Sequence, residues 1–290
     1  MELTDIAAIR ALLSRHGFSF SKSLGQNFLI ASWVPERIAE CAGIDGESGV
    51  LEIGPGIGCL TAKLAERAGK VTAVELDSTL APVLEETLSD YDNIEIVYGD
   101  ILRQNIPELV KEKLGGLRPS VCANLPYNVT TPVLTALIEA NCFESITVMI
   151  QREVARRICA EPGTADYGAF GIFTQWNCET EMLFDVSPDC FIPQPKVTSS
   201  VIRLTMRDTP LCSVADEQLL FKTVRAAFNQ RRKTLPNALS AAFGEFTKEQ
   251  LTEIVAEAGL DVNIRGERLS IPQFCTIADI IHEKKYTFLA

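Results

Sequence analysis

A short apolar run, Gly49 to Ile53, ends in three glycines at alternate positions, Gly54, Gly56 and Gly58, and nothing else in the chain limits its fold so tightly. Leu60, Leu64 and Ala65 then recur at helical spacing, so the stretch reads as strand, turn and helix. Glycines at such a turn permit positive φ and let a ligand lie against bare backbone. The next strand candidate, Val71 to Val74, ends in Glu75, about twenty residues beyond the glycines. An acid there can accept hydrogen bonds from both hydroxyls of a ribose, which points to an adenosine-containing cofactor. The spacing is G-x-G-x-G, not the G-x-G-x-x-G of dinucleotide enzymes, and as a bare pattern it also fits a structural tight turn.

Beyond the glycines, strand and helix patterns alternate. Strand candidates are 71–75, 94–98, 119–123, 145–150, 180–186 and 197–206. Helix candidates lie near 57–68, 78–89, 105–113, 131–140, 151–161 and 166–178. Such alternation gives right-handed crossovers and a mostly parallel sheet covered on both faces. The last two strands have only a short connection, so a hairpin edge is expected there. That connection holds Pro188-Asp-Cys-Phe-Ile-Pro-Gln-Pro-Lys-Val197, which three prolines keep extended, with Phe191 as a loop aromatic that need not be core. From about Asp216 only helical periodicity remains, over 216–229, 234–243, 247–259 and 270–284. A boundary near residue 208 therefore divides an α/β domain, 1–207, from a helical domain, 208–290. Ahead of the glycine loop, residues 2–16 read as an amphipathic helix, and Gly25 marks a turn. Gln26-Asn-Phe-Leu29 then precedes a helix at about 32–41, where backbone groups and an amide could cover a ligand.

The 47% hydrophobic and 22% charged content is that of an ordinary globule. No apolar run approaches the roughly 18 residues of a membrane span, and Met1-Glu-Leu-Thr-Asp-Ile carries no export signal. Nine cysteines without a C-x-x-C pair and two terminal histidines fit a reducing cytoplasm, with neither disulfide nor metal expected. The net charge of −11 would argue against nucleic acid, but its distribution does not. Glu75 to Asp100 holds eight acids and no Lys or Arg, whereas Gln218 to Gly244 holds Lys222, Arg225, Arg231, Arg232 and Lys233 and no acid. Residues 6–35 add Arg10, Arg15 and Lys22, again without an acid. Each run alone reads as a solvated face; three together point to a phosphate-binding surface.

Ligands of an open parallel sheet sit outside the carboxyl ends of its strands. Those ends are the Gly54 loop, Glu75, Gly99-Asp100 and Ala123-Asn124. An Asp or Asn there also serves as a plain helix cap. Together they make a cradle: backbone at Gly54 and Gly56 for an amino-acid moiety, Glu75 for a ribose, Asp100 for an adenine amine. Asn124-Leu-Pro-Tyr127 follows the fourth strand. N-x-P is a good turn former, yet amide, proline and aromatic also suit one reaction. The exocyclic amine of adenine is conjugated with its ring and is a poor nucleophile. The Asn124 oxygen and the Leu125 carbonyl, held by Pro126, can accept its hydrogens while Tyr127 stacks on the ring. The methylated ammonium is acidic enough to lose its proton to water, so positioning and dipoles supply most of the acceleration.

Gln26–Leu29, Glu52-Ile-Gly-Pro-Gly-Ile-Gly58, Glu75-Leu-Asp77, Gly99-Asp100 and Asn124–Tyr127 occur in order. Phe191-Ile-Pro-Gln-Pro-Lys-Val197, Phe228-Asn-Gln-Arg-Arg-Lys-Thr-Leu235 and Arg265-Gly-Glu-Arg-Leu-Ser270 follow. From about residue 10 to 282 the chain resembles the small-subunit ribosomal RNA adenine dimethyltransferases, the kasugamycin-resistance family. That resemblance implies a Rossmann-like class I methyltransferase domain with a small C-terminal all-helical domain. It implies transfer of four methyls from S-adenosyl-L-methionine to two adjacent adenines in the 3′-terminal hairpin loop of small-subunit rRNA. Cofactor contacts would fall on Asn27, Leu29, Gly54, Glu75, Asp100 and Asn124, and the target base between Tyr127 and Phe191. Lys222, Arg225, Arg231, Arg232 and Lys233 would grip RNA, and the protein would act as a monomer in the cytoplasm. An isoelectric point near 4.8 departs from the basic character of such enzymes. Rival readings are an adenine methylase with a large-subunit rRNA or DNA target, a non-catalytic RNA-binding assembly or transcription factor, and a nicotinamide oxidoreductase.

Overall fold

The structure is a computed structural model that describes residues 2–18 and 26–287. Lys22 and the expected Gly25 turn lie outside the described residues. The chain forms two compact units: residues 1–155 with 179–206, and residues 156–178 with 207–290.

The first unit is built on β2 (Ser48–Ile53), β3 (Lys70–Glu75), β4 (Ile94–Tyr98), β5 (Arg118–Asn124), β6 (Ser145–Gln151), β7 (Cys178–Val186) and β9 (Ser199–Met206). Their order across the sheet is β4-β3-β2-β5-β6-β9-β7. β2 pairs parallel with β3 and β5, β3 with β4, and β5 with β6, while β9 runs antiparallel to β6. All six residues of β2 are buried, as a central strand covered on both faces must be. Edge strand β4 is only half-buried. The helices between strands are α3 (Cys59–Ala65), α4 (Ala81–Thr87), α5 (Ile106–Leu114) and α6 (Thr130–Ala140). Asn105 caps α5, its side chain accepting from the Glu108 N–H; α1 (Ile6–Arg15) is capped likewise by Asp5, each filling a donor that a helix start leaves open.

The sequence gives no sign of a second, two-stranded ribbon. β1 (Phe28–Leu29) pairs antiparallel with β8 (Phe191–Ile192), placing Leu29 opposite Phe191. Phe191 is consequently 3% exposed, in one apolar cluster with Leu29, Val34, Ile38, Val186 and Val201. This corrects the expectation of a free loop aromatic. The prolines keep the segment extended, and an extended segment found a strand partner far away in sequence.

In the second unit, α8 (Ala169–Asn177), α9 (Glu217–Asn229), α10 (Leu235–Leu239), α11 (Lys248–Glu257) and α12 (Ile271–Thr287) surround their own core. Tyr167, Ile172 and Trp176 belong to one cluster with Leu220, Phe243, Phe274 and Ile281. The buried Tyr167 hydroxyl donates to the Leu269 carbonyl at 2.9 Å. Residues 156–178 thus go with the helical unit, not with the α/β domain to which a single boundary at 208 assigns them. Their helical periodicity is the same whichever core it faces.

Because Phe191 is core, Phe191→Ala should lower stability by about 3 kcal/mol and Phe191→Leu by much less. Urea unfolding measures both; a loss under about 0.5 kcal/mol for the alanine variant would mean that the ring is not packed.

Candidate active site

Strand order reverses between β2 and β5: the chain steps outward through β3 and β4, then returns to the far side of β2 for β5 and β6. The loops leaving β2 and β5 therefore diverge and open a crevice at their carboxyl ends. A cleft lies there. Its lining includes Asn27, Leu29, Gly54, Gly56, Glu75, Asp100 and Asn124 through Tyr127. All the residues expected around a cofactor thus come together, from five separate stretches of chain.

Gly54 and Gly56 have φ of +70° and +61°, a region that side chains with a Cβ rarely occupy. At Gly56 a Cβ would also stand 3.2 Å from the Phe28 ring. Glu75 accepts from the Asp77 N–H at 2.8 Å and from the Gly56 N–H at 3.3 Å. Burial raises its pKa, and those backbone donors oppose the rise. Gln26 donates to Asp77 at 2.8 Å, which joins the N-terminal arm to the rim beside Glu75. Burial alone would raise the Asp77 pKa, but hydrogen bonds from Thr79 and Gln26 bring it below its ordinary value. Asp100 accepts from the Leu102 N–H at 3.0 Å and caps a short 3₁₀ turn, the plain role foreseen for it, while still lining the cleft.

Three contributors escaped sequence reasoning. Leu76 and Leu102 line the cleft with 57% and 42% of their surface exposed, flat apolar ground for a ring. Their signal is a leucine directly after a strand-end acid and a leucine two residues after Asp100. The third is Glu52, buried within β2, whose Oε2 has no hydrogen-bond partner among the described residues. Burial pushes its pKa up to about 8. The nearby Thr61 hydroxyl opposes this, and the charge of Glu75 adds to it. An orphaned acid oxygen beside glycine backbone, a ribose-spaced acid and exposed leucines fits an amino-acid-bearing adenosine cofactor.

At the end of β5 the Leu125 N–H donates to the Met149 carbonyl at 3.1 Å, and the Pro126 carbonyl accepts from Val129 N–H and the Thr130 hydroxyl. These bonds hold the Asn124–Tyr127 turn. The Tyr127 and Ser199 hydroxyls are 2.7 Å apart. Burial raises the Tyr127 pKa despite that bond, so the phenol keeps its proton at neutral pH. Phe191 does not line this cleft.

The five cations expected to grip RNA all lie in the helical unit and divide into two groups. The Lys222 ammonium stands 4.2 Å from the Phe243 ring centroid and 3.9 Å from Glu245. Arg231 donates to Glu267 at 2.9 Å and to the Ala165 carbonyl at 2.7 Å. Both have partners within the helical unit while their side chains stay partly exposed. Arg225, Arg232 and Lys233 are exposed.

Glu52 binds its proton more tightly folded than unfolded. The stability it contributes is full below about pH 4.5 and is lost as pH rises through about 8. Glu52→Gln is neutral throughout, so relative to wild type it should gain on the order of 3 kcal/mol between about pH 5 and about pH 9. Urea unfolding at both pH values checks this. An unchanged difference between variant and wild type would mean that Glu52 titrates normally.

The family model for ribosomal RNA adenine dimethylase matches residues 17–283. A ribosomal RNA small subunit methyltransferase A of Lachnoclostridium phytofermentans is 48% identical over 276 residues, which span 94% of this chain and 95% of that protein. The crystal structure of the 23S rRNA methyltransferase ErmE superposes with a TM-score of 0.67 at 28% identity, covering 88% of this chain and 99% of that one. A dimethyladenosine transferase from Plasmodium falciparum, at 22% identity, shares the fold with a TM-score of 0.75 over 89% of this chain and 98% of its own. On the match across most of its length, and with the glycine loop, the ribose-spaced acid and the Asn124–Tyr127 turn gathered at one switch point, the chain belongs to the ribosomal RNA adenine dimethylase family.

Proposed function

We propose that this protein dimethylates the N6 amines of two adjacent adenines in the 3′-terminal hairpin loop of small-subunit rRNA, using S-adenosyl-L-methionine. It acts as a cytoplasmic monomer on the assembling small subunit. The observation that carries the reading is the placing of Asn124 through Tyr127 in the same cleft as Gly54, Glu75 and Asp100. The 48% identity to a small-subunit enzyme, against 28% to ErmE, favours the small-subunit target over a large-subunit one.

Glu75 would hold the donor's ribose and Asp100 its adenine amine. Gly54 and Gly56 would give backbone to its amino-acid end, with Asn27 and Leu29 on the covering arm. When bound, the donor supplies an electrophilic sulfonium methyl. The protein's own work falls on the acceptor. Asn124 Oδ1 and the Leu125 carbonyl take the hydrogens of the adenine amine and free its lone pair, and Tyr127 stacks on the ring to orient it. The proton released after transfer goes to water. Exposed Arg225, Arg232 and Lys233 hold phosphates, the interaction that dominates RNA affinity and its salt dependence.

The decisive experiment offers tritiated donor to small subunits purified from cells lacking this methylation, followed by digestion of the rRNA. Label in two adjacent dimethyladenines is expected; label in another base or none overturns the reading. Glu75→Ala should weaken donor binding by about 10- to 100-fold in calorimetry, the cost of lost charge-assisted hydrogen bonds, and leave RNA affinity intact. Arg232→Ala with Lys233→Ala should weaken subunit binding and reduce the slope of log K against log salt by about one to two, with donor affinity unchanged. Equal slopes would make this pair an ordinary solvated face.

A further inference from the structure

Two thiols of the helical unit face each other. Cys275, on the second turn of α12, is buried. Cys212, in the segment leading to α9, is half-buried between exposed Leu211 and Ser213. Their Sγ atoms are 2.9 Å apart although the residues are 63 apart in sequence. A second bond holds the same segment to the same helix: the Ala215 N–H donates to Asp279 Oδ1 at 2.8 Å, one turn beyond Cys275. The pairing is thus set by the packing of two elements, each anchored independently of the sulfurs.

Burial, the Cys212 thiol and the charge of Asp279 hold Cys275 as a thiol well above the usual range. Cys212 is the more accessible sulfur, and Cys275 lies where a resolving thiol must lie. We propose that Cys212 and Cys275 are a reversible oxidation site, forming an intramolecular disulfide when the protein meets a low-molecular-weight disulfide. In the first step the Cys212 thiolate attacks one sulfur of that oxidant. A mixed disulfide forms, and one small thiol leaves. Cys275 then loses its proton to water and attacks Cys212 Sγ, displacing the second small thiol. The protein gives up two protons and two electrons, and one small disulfide becomes two thiols. The bond ties the segment by which the chain re-enters the helical unit to its last helix. In a reducing cytoplasm such a bond is transient, formed under oxidative stress and reversed by thiols.

The test uses the full-length protein, reduced, freed of reductant and treated with oxidised glutathione. Intact mass spectrometry should show the loss of two hydrogens without a retained glutathione. Peptide mapping should join the Cys212 and Cys275 peptides. The thermal midpoint should rise by about 5 °C or more and return on adding dithiothreitol, because a cross-link over a long loop restricts the unfolded chain. Cys212→Ser should abolish the mass loss and the shift. A glutathione adduct that persists on Cys212, a cross-link between other cysteines, or no change in mass each overturns the proposal.

Discussion

The adjacency of β2 and β5 is the constraint on which the rest depends. A parallel sheet can be assembled from one side only, and its loops then all leave in the same sense. Here the order turns back at β2, so two neighbouring strands send their chains apart and the sheet must leave a crevice at that point. The polar ends that decide the chemistry, at Gly54 and at Asn124, flank this one place. Glu75 and Asp100 follow on the next strands outward. The cleft is therefore a consequence of topology before it is a consequence of any side chain.

The same geometry explains why an acid can be kept within the central strand. Glu52 is the residue before Ile53 and the glycine loop, and its side chain leaves β2 beside the cleft. In a fully apolar surrounding an unpartnered carboxyl would be a severe defect. At the edge of the cleft its orphaned oxygen leaves room for a hydrogen-bond donor, and burial keeps the carboxyl's pKa raised. Local pattern alone reads Glu52 as an ordinary interruption of an apolar run.

Much of the fold and most of the cleft were legible because their signals are local. Apolar runs marked all seven sheet strands to within a few residues, and strand-end glycines, acids and amides marked the site. What was not legible depends on partners distant in sequence. Phe191 read as a free aromatic because nothing near it predicts pairing with Leu29. Residues 156–178 read as part of the α/β domain because a helical stripe does not say which core it faces. Lys222 and Arg231 have partners within the helical unit, Phe243, Glu245, Glu267 and the Ala165 carbonyl, that a charge count cannot see.

The acidity of the whole chain is resolved in the same way, by asking where the charges are. The helical unit, residues 156–178 and 207–290, carries 13 Lys and Arg against 13 Asp and Glu, so the entire excess of 11 acids belongs to the sheet unit. Ion pairs do not reduce that excess: Glu95 holds Lys70 and Lys113, Glu36 holds Lys63 and Arg67, and Asp45 holds Arg118, all cations already counted against it. Exposed charges are screened over about 8 Å at physiological salt, so the net charge of one unit says little about a contact made by the other. A neutral unit with Arg225, Arg232 and Lys233 exposed can meet phosphates while the chain as a whole is strongly acidic.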